Sequence, residues 1–513
     1  MDARSQLAAQ ALAAAVGLGI LADALLRAGP WGLNIGIWTL ALVVTATVLS
    51  ARSPVGQSSR PTWPAVLVLL FALLFTWRDA PGVKLFNAFA MAVCLLIWVE
   101  RHAGERVRAW TVLDYVRGIL NSAAAAGVGP LHLNKADIDW TTGAESRKFT
   151  YARSAALGLL ISIPLLFIFG GLLVAADAVF ERLVSETFDF DIANVLSHGA
   201  LTAFFAWIVA GLLLVFLNLK RRAFSELRVD RPGLGIVEVA VPLAVLNLLF
   251  IVFVLVQLRY LFGDASLVEG TVGLTYSEYA RRGFFELVAV VALVLPLLLG
   301  ADWVLGDANR RNRRTYRFLA GALVLLLLAV VASAVKRMLL YQGAYGLTEL
   351  RVYTTAFMAW LGIVLLWFCA TVLRERRAQF ATGAALFGFA VIGAVNLLNP
   401  DALIARVNTD RALRGEEFDA AYAASLSGDA IPKLVSKLAD LDPTDRCRVA
   451  VRLLDRWDPA NDSDWRTWNL GRTRAQRAVG GARPRLEAWA CEPAVESGAP
   501  TTEPQSSDSA PSY

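Results

Sequence analysis

The chain has 513 residues, 57% of them hydrophobic and only 18% charged, with a mean hydropathy of +0.53. Soluble domains carry roughly 25% charge, so a single soluble globule is excluded, and the length leaves room for a membrane domain of several hundred residues. The +6 formal charge hides two balances: residues 1–400 hold 34 Lys and Arg against 25 Asp and Glu, while residues 401–513 hold 15 against 18. The basic excess thus belongs to the membrane part and marks a solvated cytosolic face, not a nucleic-acid surface.

Eleven apolar stretches are long enough, or nearly so, to cross a hydrocarbon core of about 30 Å. They run approximately 7–26, 31–50, 62–77, 84–99, 154–178, 196–218, 234–258, 284–305, 314–336, 352–373 and 378–398. The first superficially resembles a signal peptide, but Asp23 interrupts it and a second apolar run follows directly after Gly29-Pro30, so a retained hairpin of two spans is expected in place of a cleaved leader. The third and fourth are short. The last contains Gly383, Gly388 and Gly393, which would permit a broken or re-entrant helix.

Lys and Arg counts in short loops set orientation. Basic residues cluster between spans four and five, six and seven (Lys220, Arg221, Arg222), eight and nine (Arg310, Arg311, Arg313, Arg314) and ten and eleven (Arg374, Arg376, Arg377). All four connections fall on one side. The expected topology therefore has the N-terminus cytoplasmic and the region after Leu398 outside, against the local pull of Arg406, Arg411 and Arg414.

Domain boundaries follow: 1–100, N-terminal spans; 101–153, a cytoplasmic insertion; 154–398, the main bundle; 399–490, a small helical unit; 491–513, a Pro/Ser/Glu-rich tail that buries too little apolar area to order. Within the insertion, 105–117 has helical spacing and reads either as an interfacial helix or as part of a cytoplasmic hairpin. Within the small unit, short helices are expected at 418–426 and at 430–438, where Asp429 is a candidate cap and Pro432 sits in the first turn. A third is expected at 444–456, with Cys447, Val451 and Leu454 on its apolar face.

Polar residues gather at two outer connections. The first carries Tyr276, Glu278, Tyr279, Arg281, Arg282 and Glu286; the second carries Lys336, Arg337, Tyr345, Glu349, Arg351 and Tyr353. Ionisable groups at a hydrocarbon edge need pairing or water, so these groups either clamp helix ends or line a ligand vestibule. Asn247 and Gln257 lie inside the seventh span, where interhelical hydrogen bonds explain them. His102, His132 and His198 are scattered and match no metal motif; Asp189, Asp191 and His198 form at most a weak triplet. Cys94 and Cys369 sit in apolar runs, whereas Cys447 and Cys491 can pair if the C-terminal unit is outside. No Walker A loop, dinucleotide fingerprint or nucleophile elbow occurs, so no metal, cofactor or catalytic residue is expected.

The run Tyr276-Ser277-Glu278-Tyr279-Ala280-Arg281-Arg282-Gly283-Phe284-Phe285-Glu286-Leu287 resembles the YxEYxRxGFxEL signature of the DUF4173 proteins, an uncharacterised bacterial multi-pass family. Tyr345-Gly346-Leu347-Thr348-Glu349-Leu350-Arg351 is similar to that family's YGLTxxR signature, and the resemblance extends from about residue 70 to 440, through Asp429-Ala430-Ile431-Pro432. It implies a multi-pass protein of the bacterial inner membrane and transfers no catalytic role. The expected fold is all-α: an integral membrane protein of about eleven transmembrane helices with a small helical C-terminal appendage. The expected role is an envelope scaffold or signalling component, in contact with the bilayer and a membrane or envelope protein partner. A secondary transporter of a small solute, or an enzyme on a lipid-linked substrate, are the alternatives.

Overall fold

The protein is described from a computed structural model covering residues 3–52, 63–102, 112–128, 192–217, 235–262, 284–306, 309–457 and 464–490. Among these residues the regular structure is entirely helical. In chain order the membrane region contains α1 (Ala3–Leu26), α2 (Leu33–Ala51), α3 (Trp63–Trp77), α4 (Pro81–His102), α5 (Val112–Val128), α6 (Ile192–Phe216), α7 (Ile236–Phe262), α8 (Phe284–Leu305), α9 (Arg310–Tyr345), α10 (Glu349–Thr371) and α11 (Phe380–Leu398). Nine of the described helices are long and apolar enough to cross a bilayer; α3, at 15 residues, is shorter. The expected span at 154–178, the basic connection between spans six and seven, most of the 101–153 insertion and the 491–513 tail lie outside the described residues.

Two packed groups make up the membrane region. α1, α2, α3, α4 and α6 share one core, and α7 to α11 share another. The first group closes through small residues: Ala8, Ala11, Ala15 and Ala22 recur at helical spacing on the buried face of α1. A Cβ on Gly19 would lie 2.5 Å from the Thr202 carbonyl oxygen and 2.8 Å from the Ala206 Cβ, so α1 and α6 approach to backbone contact. α5 packs on α6 and α4 and touches α11, with Ser122 donating to Glu100 (3.0 Å) and Trp207 to the Gly127 carbonyl (2.7 Å). Of the 105–117 stretch, 112–117 are helical and belong to α5, which rests against other helices, while 105–111 lie outside the described residues. On α7, by contrast, Val237, Val241, Val245, Leu248 and Val252 are exposed, as a lipid-facing stripe requires.

Three expectations change in the second group. α9 has 36 residues where about 23 were expected, so Lys336, Arg337, Tyr341 and Tyr345 belong to a helix of roughly 54 Å at about 1.5 Å per residue, and not to a loop. Asn309 caps its start by accepting from the Asn312 amide (2.9 Å). α11 is one continuous helix, so it is not broken at its glycines. Its glycines make room for indole rings: a Cβ on Gly383 would collide with Trp367, whose Nε1 donates to the Phe380 carbonyl (3.2 Å), and Trp360 donates likewise to Ala384 (3.2 Å). Asn247, read as interhelical glue, does this by donating to the Leu243 and Leu319 carbonyls (2.7 and 3.0 Å); the side chain of Gln257 is outside the described residues.

The C-terminal unit contains α12 (Pro400–Ala412), α13 (Ala420–Ser425), α14 (Ile431–Lys437), α15 (Pro443–Arg456) and α16 (Leu470–Trp489) around its own core of Ile431, Leu434, Leu438, Val449, Leu453, Val479 and Leu486. Asn399, left-handed at φ 54°, turns the chain from α11 into α12. The buried face of α15 is Val449, Ala450 and Leu453, so the Cys447–Val451–Leu454 register is corrected; those three flank the core. Cys447 is disulfide-bonded, Cys94 and Cys369 are free, and Cys491 lies outside the described residues.

Substituting Gly383→Leu should displace Trp367 and lower stability by about 1–3 kcal/mol, the usual cost of overpacking. Gly393→Leu, where nothing lies within 4 Å of an added Cβ, should leave thermal unfolding in detergent close to that of the parent protein.

Candidate functional site

A helix leaves its first amides and last carbonyls without intrahelical partners, and where such ends are buried something else must satisfy them. At one end of the membrane region the C-terminal unit does this for several helices at once. Asn469 donates to the Phe75 and Arg78 carbonyls at the end of α3 (2.7 and 2.9 Å), while its oxygen accepts from the Arg472 amide (3.1 Å) at the start of α16. The Trp468 carbonyl accepts from the Leu33 amide (3.0 Å) that opens α2. Arg466 reaches the Ala24 carbonyl near the end of α1 (2.5 Å). Arg411 holds the Gly343 and Ala344 carbonyls near the end of α9, and the Tyr422 hydroxyl accepts from the Glu349 amide (3.0 Å) that begins α10.

Asp429 corrects a sequence expectation. Ala430, not Asp429, holds the N-cap position of α14 and makes no side-chain cap bond. The Asp429 carboxylate instead accepts from the Asp79 and Ala80 amides (2.6 and 3.2 Å), capping the start of membrane helix α4 from across the seam. Asp79 returns the contact: its carboxylate accepts from the Gly428 amide (3.1 Å) and pairs with Lys84 (2.8 Å) and Arg472 (3.2 Å). Arg78 lies 3.7 Å from Asp429 and donates to the Asn396 carbonyl (2.7 Å) on α11. Asn396 and Asn87 exchange amide hydrogen bonds (3.1 and 2.8 Å), tying α11 to α4 and so one helix group to the other.

Burial pushes the Asp429 carboxyl upward, and the two amides and Arg78 oppose that push. The approach is tight: a Cβ on Gly471 would lie 2.7 Å from Asp429 Oδ1 and 3.0 Å from the Asp79 Cβ. Beside this clasp opens a cavity of about 780 Å³. Phe75, Pro81, Leu85 and Ala88 of the membrane helices and Trp31 of the α1–α2 turn give it an apolar wall; Asp79, Lys84, Glu349, Ser427, Arg456 and Arg472 give it a polar one. That volume lies within the roughly 300–1,000 Å³ typical of small-molecule sites.

Of the residues singled out from sequence, Glu349 lines the cavity, Tyr353 packs beneath it against Phe86 (ring centroids 5.1 Å), and Arg351 is a structural clamp. Arg351 stacks on Tyr341 at 4.1 Å and donates to the Tyr345 and Gly346 carbonyls (3.0 and 2.6 Å). Glu286 is exposed in the first turn of α8, and Tyr276, Glu278, Tyr279, Arg281 and Arg282 lie outside the described residues. His198 pairs with Asp23 (2.5 Å); Asp189 and Asp191 are outside the described residues, among which no cluster of metal-ligating side chains occurs. Sequence pattern does not single out Asp79, Lys84, Asp401, Asn469 or Arg472. The available signal is the charged triplet Arg78-Asp79 and Lys84 straddling the start of an apolar helix.

A family profile described as a domain of unknown function, DUF4153, matches residues 65–436. The chain belongs to the DUF4153 family. This corrects the DUF4173 resemblance: the motifs pointed to an uncharacterised multi-pass membrane family, but to a differently designated one. The DUF4153 match runs from α3 through α14, so it contains both Asp79 and Asp429 and crosses from the membrane helices into the C-terminal unit. No curated protein and no solved structure matches the chain.

Asp429→Ala should leave Arg78 and two amides without their acceptor and weaken the seam by about 3–5 kcal/mol, as loss of one partner in a buried pair does. Hydrogen exchange across 464–490 should rise accordingly. Asp429→Asn keeps an acceptor oxygen and should lose less.

Proposed function

We propose that this DUF4153 protein is an inner-membrane scaffold or signalling component whose C-terminal unit faces the envelope side and responds to a small amphipathic ligand in the seam cavity. The observation that carries the reading is the cavity itself, lined on one side by the membrane region, which contributes Phe75, Pro81, Leu85, Ala88, Asp79, Lys84 and Glu349, and on the other by Ser427, Arg456 and Arg472 of the C-terminal unit, so that an occupant touches both. Ligand binding there would change how firmly the two are held together, which is the differential interaction that any such response requires.

Orientation rests on two supports. Arg313 and Arg377 converge on Asp302 (2.5 and 3.8 Å), and Arg317 pairs with Glu375, so the basic α8–α9 and α10–α11 connections share the end opposite the C-terminal unit. Basic connections favour the cytoplasm. The disulfide at Cys447 favours an oxidising compartment for the C-terminal unit. Arg411 and Arg414, which argue locally for the cytoplasm, are engaged with α9 carbonyls and with Glu416.

Reporter fusions after residues 312 and 376 should therefore read cytoplasmic and a fusion after 450 should read external; a cytoplasmic result at 450 would overturn the orientation. For the ligand, native mass spectrometry of protein extracted in mild detergent should show a bound small molecule that is lost in Ser425→Trp, which fills the cavity without touching the Asp79–Asp429 clasp. A folded Ser425→Trp protein that keeps the same bound mass would remove the site. Substrate-dependent flux in proteoliposomes, abolished by the same variant, would replace this reading with transport.

A further inference from the structure

Three acids are buried where α4 and α10 meet the C-terminal unit, one of them on its first helix, α12. Two of them are compensated: Asp79 by Lys84 and Arg472, Asp429 by Arg78 and two backbone amides. Asp401, with 0% of its surface exposed, is different. Its Oδ2 accepts from the Ser427 amide (3.0 Å), but its Oδ1 is buried with no hydrogen-bond partner in the structure. Two side chains lie within hydrogen-bond reach of that carboxyl: the Ser427 hydroxyl and a second carboxyl, Glu349. Among the described residues no Lys, Arg or His lies within ion-pair distance of either.

Two carboxyl groups in contact cannot both be ionised without a counter-ion, because like charges at this separation in a low-dielectric site repel strongly. One proton shared between them removes the repulsion and supplies the missing donor to Asp401 Oδ1. We propose that Glu349 and Asp401 form a proton-binding site, reached from the seam cavity that Glu349 lines, and that the bound proton holds the C-terminal unit onto α10. The proposal stands apart from any ligand reading, since it concerns the unliganded protein.

The surrounding groups support retention of the proton. From α10, Arg351 is turned away onto Tyr341 and the Tyr345 and Gly346 carbonyls, and the buried Tyr353 hydroxyl has no hydrogen-bond partner. From α13, Tyr422 is neutral, its hydroxyl pushed up to about 12 by burial. From the α3–α4 turn and the 427–430 turn the facing charges are Asp79 and Asp429, with Arg78, Lys84 and Arg472 committed to them; on α14, Lys437 pairs with Asp410. Burial is the largest cause raising Asp401 above the ordinary carboxyl range, and the Asp79 charge adds to it. The sign follows: a carboxyl whose folded-state value is raised contributes its stability below the unfolded value, and that stability is lost as pH rises through the folded one. The seam therefore tightens in acid and loosens in alkali.

Infrared difference spectroscopy on the purified full chain tests the site directly. At neutral pH the parent protein should show a protonated-carboxyl stretch that Glu349→Gln and Asp401→Asn each remove; a band that survives both substitutions would overturn the assignment. Hydrogen exchange over 400–430, corrected for the intrinsic pH dependence of exchange, gives a second readout. Protection in the parent protein should fall with rising pH by roughly tenfold per unit through the titration. Glu349→Gln, whose amide donates to Asp401 at every pH, should show a clearly weaker pH dependence. Coincident profiles for the two proteins, or protection that follows sodium concentration and ignores pH, would refute the proposal.

Discussion

The ends of membrane helices are where this structure is decided. A helix that stops at a bilayer surface exposes amides or carbonyls that water usually satisfies. Here, at one end of the bundle, a folded unit takes the place of that water. Asn469, Asp429, Trp468, Arg466, Arg411 and Tyr422 each meet a helix end or the turn beside it, and several of them serve their own helices at the same time. The C-terminal unit is thus a lid of hydrogen-bonding groups matched to the spacing of the helices below it.

Matching of this kind has an electrostatic consequence. Bringing acceptors to the start of α4 means burying Asp429, and receiving the Gly428 amide means burying Asp79. Buried charges are tolerated when paired, which accounts for Arg78, Lys84 and Arg472 in the same layer. The layer lies beside a cavity that Asp79, Lys84 and Arg472 themselves line. Among the described residues Asp401 is the member of the layer with no cation at ion-pair distance, and the carboxyl of Glu349 lies within hydrogen-bond reach of it.

Much of the membrane architecture is legible in sequence, for a simple reason. A span must be apolar over a length set by the bilayer, so 33–51, 236–262 and 284–305 are readable without tertiary information. Helix ends are harder. Lys336 and Arg337 read as the edge of a loop, yet α9 continues past them to an end where Arg411, far along the chain, donates to its last carbonyls. Gly383 reads as a breaker, yet it is the hollow that accepts Trp367. Asp429 reads as a local cap because capping is ordinarily local; its real partners are some 350 residues away, and no spacing rule reports them.

Composition and periodicity alone determined that the chain is a multi-pass helical membrane protein with a less apolar helical segment behind it, because burial in lipid selects residue type at every position of a span. Tertiary structure decided what that segment does. Whether Asp79 and Asp429 are surface charges or the centre of a clasp depends on which backbone amides face them, and that is a property of how helices distant in sequence come together. The same holds for Glu349: an acid at a helix start is unremarkable until a second carboxyl is brought against it with no cation between.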